Sequence, residues 1–469
     1  MTIEPREPID ELRRPATAFT DSSGFLPPEK IRIYDDSLRD GEQMPGVAFS
    51  PAQKLELAKL LDQIGCHVLD VAFPRTSEQE CESLRLILEA RRRGELSADL
   101  DILVMSRADR AELDFLVELV ESYGFAPSDL SVLVLGALSD IHVKYKLGNL
   151  LYRREHGRDP SEQEWLDAPV DFYRAANITM MTEMVSHARE CGFRTVEYAG
   201  EDASRAHLEY VLEWGRAGKA AGGTRMCFSD TVGILTPEAV DHYFPPLVAA
   251  LDGLELTAHF HNDYGQAASN TVRALSHGAS HAGVTVNGIG ERAGNASLHQ
   301  VAMILKDQYG VVLPGFRYDL LRRLRRTFEV ASGVPLAPTE PIVGDFVFSH
   351  ESGIHVAGIA IHPEIYQTIE PSHLDTELRF IFGKHTGRNA VRDVLYRNRA
   401  ELERRGVQFD EELATEVTEE IKAWRNSQLR EYSAEIDRHY KHLRGLGMGE
   451  RAVVDLAVSL SVPATAKGA

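Results

Sequence analysis

From Ile31 onward, short apolar runs alternate with longer stretches whose apolar residues recur at helical spacing. The runs Ile31–Ser37, Val68–Phe73, Asp101–Met105, Ser131–Leu138, Thr195–Ala199, Arg225–Ser229, Glu255–His261 and His281–Asn287 read as strands. Between them, segments such as Pro51–Ile64, Ala108–Tyr123, Met180–Cys191 and Ser204–Ala220 read as amphipathic helices. Eight such strand–helix units predict an α/β fold of the closed (β/α)8 type, a TIM barrel. A doubly wound open sheet would want a Gly-rich phosphate loop after its first strand, where this chain has Asp40-Gly-Glu-Gln43.

The rhythm also sets the expected boundaries. Residues 1–30 are a polar, Pro-rich arm with room for a short helix around Asp10–Arg14. The barrel spans 31–334 and is interrupted after its fourth strand by an Arg-bearing insertion, 148–177, expected to be either a lid or a surface excursion. Ala296–Gln308 and Tyr318–Val330 read as helices, and Pro335–Val343 as a Pro-rich linker. A small subdomain to residue 390 and a mostly helical C-terminal region, 391–469, follow, with a frayed tail from Val462.

Composition narrows the class. A formal net charge of -20 is too acidic for a nucleic-acid or anionic-membrane binder. The 4 cysteines form no Cys-x-x-Cys pair and read as reduced thiols. The N-terminus does not read as a signal peptide, and no apolar run approaches a membrane span, so a cytoplasmic protein is expected.

The chemistry concentrates where strands end. His259 and His261, spaced i, i+2 at the end of the seventh strand, point to one face and make half a site for a divalent metal. Asp40, in Asp36-Ser-Leu-Arg-Asp-Gly-Glu-Gln43 after the first strand, adds a hard oxygen ligand. Barrel closure is expected to bring these two strand ends together. Arg39 offers a planar cation for a carbonyl oxygen or developing negative charge, although an ordinary helix-capping salt bridge is the alternative for Arg39 and Asp40. Asn295 closes a Gly-rich loop after the eighth strand, within reach of the metal. Outside the barrel, His350-Glu-Ser-Gly-Ile-His355 has the look of a positioned acid–base group or of a structural histidine cluster.

Five motifs occur in order: Asp36-Ser-Leu-Arg-Asp-Gly-Glu-Gln43, His259-Phe-His-Asn-Asp-Tyr-Gly265, Asn287-Gly-Ile-Gly-Glu-Arg-Ala-Gly-Asn295, His350-Glu-Ser-Gly-Ile-His355 and Gly383-Lys-His-Thr-Gly387. Together they resemble the 2-isopropylmalate synthase/homocitrate synthase family of Claisen-condensing enzymes, and Ser139-Asp-Ile-His142 with Gly200-Glu-Asp-Ala-Ser-Arg-Ala206 looks closest to the nitrogenase-type homocitrate synthases. The resemblance implies one divalent metal ion (Mg, Mn, Zn or Fe) on Asp40, His259 and His261, with Asn295 nearby, and acetyl-CoA condensing with a 2-oxo acid. It implies that Arg39 polarises the keto oxygen and that Thr231 binds the substrate carboxylate. His355 would take the methyl proton, helped by Glu201 and Tyr366. It also implies a homodimer in which the His355 segment reaches the partner's barrel. Gln43, Asp70, Arg107 and Glu291 complete the expected substrate contacts.

Departures bear on the substrate. Asp70 stands where the family usually has Glu, Ala199 where many members have Ser, and Glu197 where lysine-pathway homocitrate synthases have Arg. The fourth strand lacks the His of many isopropylmalate synthases. Arg107 and the basic insertion are the candidates for holding a distal anion. Homocitrate-type chemistry on 2-oxoglutarate ranks first, 2-oxoisovalerate second, and an anionic pyruvate analogue such as phosphonopyruvate third. Feedback inhibition through a leucine-responsive C-terminal domain is not expected. Rival readings are a carbon–carbon lyase, which would carry a Cys in the loop after strand eight, and a non-catalytic binding protein.

Overall fold

The computed structural model describes residues 20–428, 435, 438, 441, 448 and 450–461, so the helix expected around Asp10–Arg14 and the tail from Val462 lie outside it. Eight parallel strands form one closed barrel: β1 (Arg32–Asp35), β2 (Val68–Ala72), β3 (Asp101–Arg107), β4 (Ser131–Ala137), β5 (Val196–Glu201), β6 (Arg225–Asp230), β7 (Glu255–Phe260) and β8 (His281–Val284). All eight expected strands are present, with ends shifted by a few residues. β8 stops early because the chain turns into a short 3-10 segment, Val286–Gly288, in which Asn287 takes a φ of 60°.

Local chemistry accounts for the helices. Pro51–Ile64 starts with a reciprocal cap between Ser50 and Gln53, has Pro51 at its first turn, and stops at Gly65 with φ 104°. Its face of Leu57, Ala58, Leu61 and Ile64 is buried against the barrel wall. Truncating one of the leucines to Ala would cost about 2–5 kcal/mol.

β1 and β7 are not neighbours, because β8 pairs with both and lies between them. Gly283 makes that arrangement tight. A Cβ there would stand 2.7 Å from the Ala258 carbonyl oxygen and 3.3 Å from the His259 Cβ.

The barrel interior changes character along its length. Arg225 and Asp101 begin β6 and β3, and Glu197 lies near the start of β5. Arg225 is 2% exposed, and its Nε donates to Glu197 (2.6 Å) and its Nη1 to Asp101 (3.2 Å). Above this charged floor lies a compact group of Tyr34, Val68, Leu103, Met105, Leu133, Ala199 and Cys227.

The insertion is not a loop. It forms helices Gly148–His156 and Glu162–Asp167 and the first turns of Val170–Glu190, which starts ahead of the expected Met180. Its arginines are taken up locally: Arg154 with Glu183 (2.6 Å), Arg158 with Glu164 (2.5 Å) and Arg153 with Asp159 (3.4 Å).

After the helix Leu321–Ser332, a two-stranded parallel sheet pairs β9 (Ser349–His350) with β10 (Arg379–Phe380), and helices Gly353–Ile361, Arg388–Arg397 and Glu411–Gln428 follow. Among the described residues, no helix is long and apolar enough to cross a membrane.

Candidate active site

A cavity of about 320 Å³ opens among the C-terminal ends of the barrel strands. The sharp turn after β1 builds its first side. The Asp36 carbonyl accepts from the Arg39 and Gly41 amides, and the Ser37 hydroxyl accepts the Val286 amide at 2.7 Å, tying the turn to the loop after β8. This presents Asp36, Arg39, Asp40 and Gln43 to the cavity.

Asp40, His259 and His261 each place a ligand atom within 4.8 Å of the others. The His259 Nδ1 meets Asp36 at 2.9 Å, which leaves its Nε2 facing Asp40 at 3.7 Å, and the His261 Nε2 faces the same Asp40 oxygen at 4.0 Å. Such carboxylate–histidine pairing fixes a ligating ring's tautomer and orientation. The Asn295 side-chain amide donates to Asp40 at 2.5 Å, while its oxygen and the His261 Nδ1 are buried without a partner. Three carboxylates (Asp36, Asp40, Asp70) surround one guanidinium and two imidazoles. Burial works against the charged Asp40, yet Arg39 and the two histidines bring its carboxyl down to about 2. Burial, then the neighbouring His259, lowers His261 to about 4. The donor set and the excess of negative charge fit a divalent cation.

Arg39 is fixed by three acids. It meets Asp70 through Nε (2.7 Å) and Nη2 (2.6 Å), Asp40 at 3.0 Å and Asp36 at 3.2 Å. Asp70 therefore anchors this arginine from the barrel wall and does not itself line the cavity, which corrects its expected place at the substrate. Burial pushes its carboxyl up despite Arg39 beside it.

Thr231, Gln43, Glu201 and Glu291 all line the cavity. The Thr231 hydroxyl accepts the Asp202 amide at 2.8 Å, so its own proton remains available to a ligand. Glu201 ends β5 and bonds Lys146, with His142 at 3.7 Å. Burial alone would raise Glu201, but His142 and Lys146 outweigh it and hold the carboxyl below its ordinary range. Both bases come from a π-helical turn, His142–Lys146, a distortion frequent at functional sites.

Arg107 is not brought in. Its guanidinium is exposed and held by Glu112 (Nε at 2.5 Å), outside the cavity. Glu197 belongs to the floor with Arg225 and does not line the cavity. His355 and Tyr366 do come together, rings stacked 3.9 Å apart with His350 5.7 Å from His355, but neither lines the barrel cavity. Glu351, next to His350, accepts the His385 amide at 3.0 Å and so ties down the Gly383–Gly387 loop.

Sequence reasoning missed several residues. Asp36 and Arg292 lie inside motifs that were recognised, but their tasks are visible only in three dimensions. Arg292 lines the cavity while clamping Asp263 through two 2.8 Å bonds and donating to the Thr231 carbonyl at 2.6 Å. Its loop folds so tightly that a Cβ on Gly294 would fall 1.8 Å from the Gly288 oxygen.

Comparison with known proteins agrees with this architecture. The HMGL-like family model matches residues 30–152 and 167–327, breaking within the insertion, and the homocitrate synthase post-HMGL domain-like model matches 342–428. A probable 2-isopropylmalate synthase of Methanopyrus kandleri is 37% identical over 84% of this chain and 70% of its own length. The homocitrate synthase AksA of the same organism is 35% identical over 84% of this chain and 88% of its own. The (R)-citramalate synthase CimA of Methanocaldococcus jannaschii is 34% identical over 84% of this chain and 70% of its own. The HMG-CoA lyase of Bacillus subtilis superposes with a TM-score of 0.52 at 17% identity, covering 68% of this chain and 98% of that one, a likeness of fold. The chain belongs to the HMGL-like family, among the acetyl-CoA-dependent condensing synthases that the 2-isopropylmalate and homocitrate synthases represent.

Proposed function

We propose that this enzyme joins the methyl carbon of acetyl-CoA to the keto carbon of a short 2-oxo acid, releasing CoA and a 2-substituted malate. The observation that carries the reading is the convergence of Asp40, His259 and His261 beside Arg39 at the barrel mouth. Asp40, His259 and His261 would hold a divalent cation, with Asn295 alongside. The cation, when bound, supplies Lewis-acid polarisation of the keto group.

The chain's own groups do the rest. Arg39, immobilised by Asp36, Asp40 and Asp70, stabilises the negative charge that develops on the keto oxygen. Thr231 and Gln43 orient the 2-oxo acid's carboxylate. Glu291 and Arg292 cover the mouth, Arg292 by bridging Asp263 and the Thr231 carbonyl. His355 removes a methyl proton from acetyl-CoA, with Tyr366 stacked on its ring and Glu201 completing the acid–base set. The nucleophilic carbon then attacks the keto carbon, and thioester hydrolysis makes the sequence irreversible. His355 lies outside its own chain's cavity, which supports a site completed by a second copy of the chain in a homodimer.

The wall also speaks to the substrate. Met105, Leu133, Leu135, Ala199 and Cys227 line it, and both arginines at the cavity, Arg39 and Arg292, are already bound to acids. Arg107 and the insertion arginines are engaged elsewhere. This favours a 2-oxo acid without a distal charge, such as 2-oxoisovalerate, over 2-oxoglutarate or phosphonopyruvate. CoA release, followed with a thiol reagent against a panel of 2-oxo acids, tests the reading. Metal-dependent release with an uncharged member is expected, and no release with any member of the panel overturns it.

A further inference from the structure

The His355 segment has an open groove of its own. About 1420 Å³ in volume, it runs between the helix Gly353–Ile361, the strand β10 and the helix Arg388–Arg397. The barrel cavity, at about 320 Å³, stands at the lower end of the range that small-molecule sites occupy, roughly 300–1,000 Å³. It has room for a short 2-oxo acid but not for a nucleotide thioester as well, so the larger substrate needs a place outside it.

Charge singles the groove out. Although the chain carries a formal net charge of -20, Arg379, Arg388 and Arg397 all line this groove. Among the described residues, none of the three is ion-paired with a carboxylate. The arginines at the barrel mouth and in the insertion, by contrast, are bound to acids. The two acids on the groove wall are themselves engaged, Asp345 with Arg322 (3.4 Å) and Arg325 (3.3 Å), and Asp393 with Arg392 (3.5 Å). The rest of the wall is largely apolar and open, with Phe346, Ile354 and Ile381 54%, 74% and 42% exposed. Free guanidiniums beside accessible apolar surface suit a ligand that joins phosphates to a less polar body, because the planar fork binds phosphate oxygens bidentately.

The groove also adjoins the base. Gly353, Ile354, Val356 and Ala357 line it, and they belong to the helix that carries His355. The helical period turns His355 to the other side of that helix, where its ring stacks on Tyr366. At the start of the helix Gly353 has no side chain to obstruct an arm crossing from the groove to that side.

Resting on the condensation reading above, we propose that this groove holds the nucleotide end of acetyl-CoA. Arg379, Arg388 and Arg397 take its phosphate groups, the apolar wall carries the adenine, and the thioester arm crosses Gly353 to His355.

The test compares the metal-loaded, full-length enzyme with its Arg388→Gln/Arg397→Gln variant. Calorimetry reads equilibrium binding of CoA and, separately, of 2-oxoisovalerate; sedimentation reads the oligomer; thiol release reads KM for acetyl-CoA. The variant should bind CoA about ten-fold or more weakly and raise KM for acetyl-CoA to match. Its affinity for the 2-oxo acid should stay within about three-fold, and its oligomer and Tm should be those of the wild type. Unchanged CoA affinity overturns the proposal. So does a loss of CoA binding that comes only with loss of the oligomer, since the groove would then be a docking face for another copy. Binding stands apart from turnover: if CoA affinity depends on the two arginines but the wild type releases no CoA with any 2-oxo acid, the condensation reading has failed and the groove assignment has not.

Discussion

The barrel mouth and the His350–Tyr366 segment carry the two halves of the proposed chemistry in opposite physical styles. At the mouth, Asp36, Asp40, Asp70 and Asn295 are buried and each is bonded to another member of the cluster. The other half is open. Tyr366 is 39% exposed, and Ile354 and Ile361 on the helix after His350 are 74% and 64% exposed. Its histidines are held by ring stacking and a weak bond, His350 to Gln367 at 3.3 Å, while Glu351 ties the segment to the His385 amide at 3.0 Å. Fixed groups suit electrostatic stabilisation, which gains from preorganisation. A base that acts on the second substrate can reside on a surface that becomes enclosed only when another copy covers it.

Breaking the enclosed half should have the largest effect. His259→Ala is expected to abolish metal binding and activity together, with turnover down by roughly 10³-fold or more; retained metal in elemental analysis would break the assignment. His355→Ala should lower turnover by roughly 10²–10⁴-fold while sparing calorimetric binding of the oxo acid. Mixing it with Asp40→Ala should restore some activity through hybrid dimers, and absence of rescue would place both halves in one chain. Asp36→Asn, which removes the carboxylate behind His259 and one of the three that hold Arg39, should weaken metal affinity by roughly 10–100-fold, as a metal titration would read.

Lys146→Met probes the seam between the halves. Glu201 is held below its ordinary range, so it is ionised throughout the neutral region and protonates only as the pH falls through that depressed value. Without Lys146 that value rises, so the acid limb of the kcat/KM profile should move to higher pH while the neutral plateau changes little. The smallest effect is expected from neutralising Arg153, Arg154 and Arg158 together. Their surface ion pairs contribute about 0–1 kcal/mol each, and unchanged kinetics with a slightly lower Tm would confirm a scaffold role.

Most of this architecture was legible in the residue pattern. Strand positions followed from apolar runs because a buried parallel strand has no other way to hide its side chains. Asp40, His259 and His261 could be paired because strand ends in this fold converge, though the convergence works through β8. The insertion misled, since an arginine count does not show that Glu164 and Glu183 already neutralise those charges. Arg107 misled for the same reason, with Glu112 five residues along the chain. Asp70 was placed at the substrate, yet it binds Arg39, a distinction that one methylene in a linear sequence cannot convey.

The salt-linked floor has a kinetic corollary. Arg225, Glu197 and Asp101 stopper the barrel from below, so everything enters and leaves through a single door. In the proposed reaction, an oxo acid held at Asp40, His259 and His261 would bind before the thioester, and the malate formed from it would leave after CoA. Initial-rate patterns should therefore show compulsory order, with free CoA escaping ahead of the malate product.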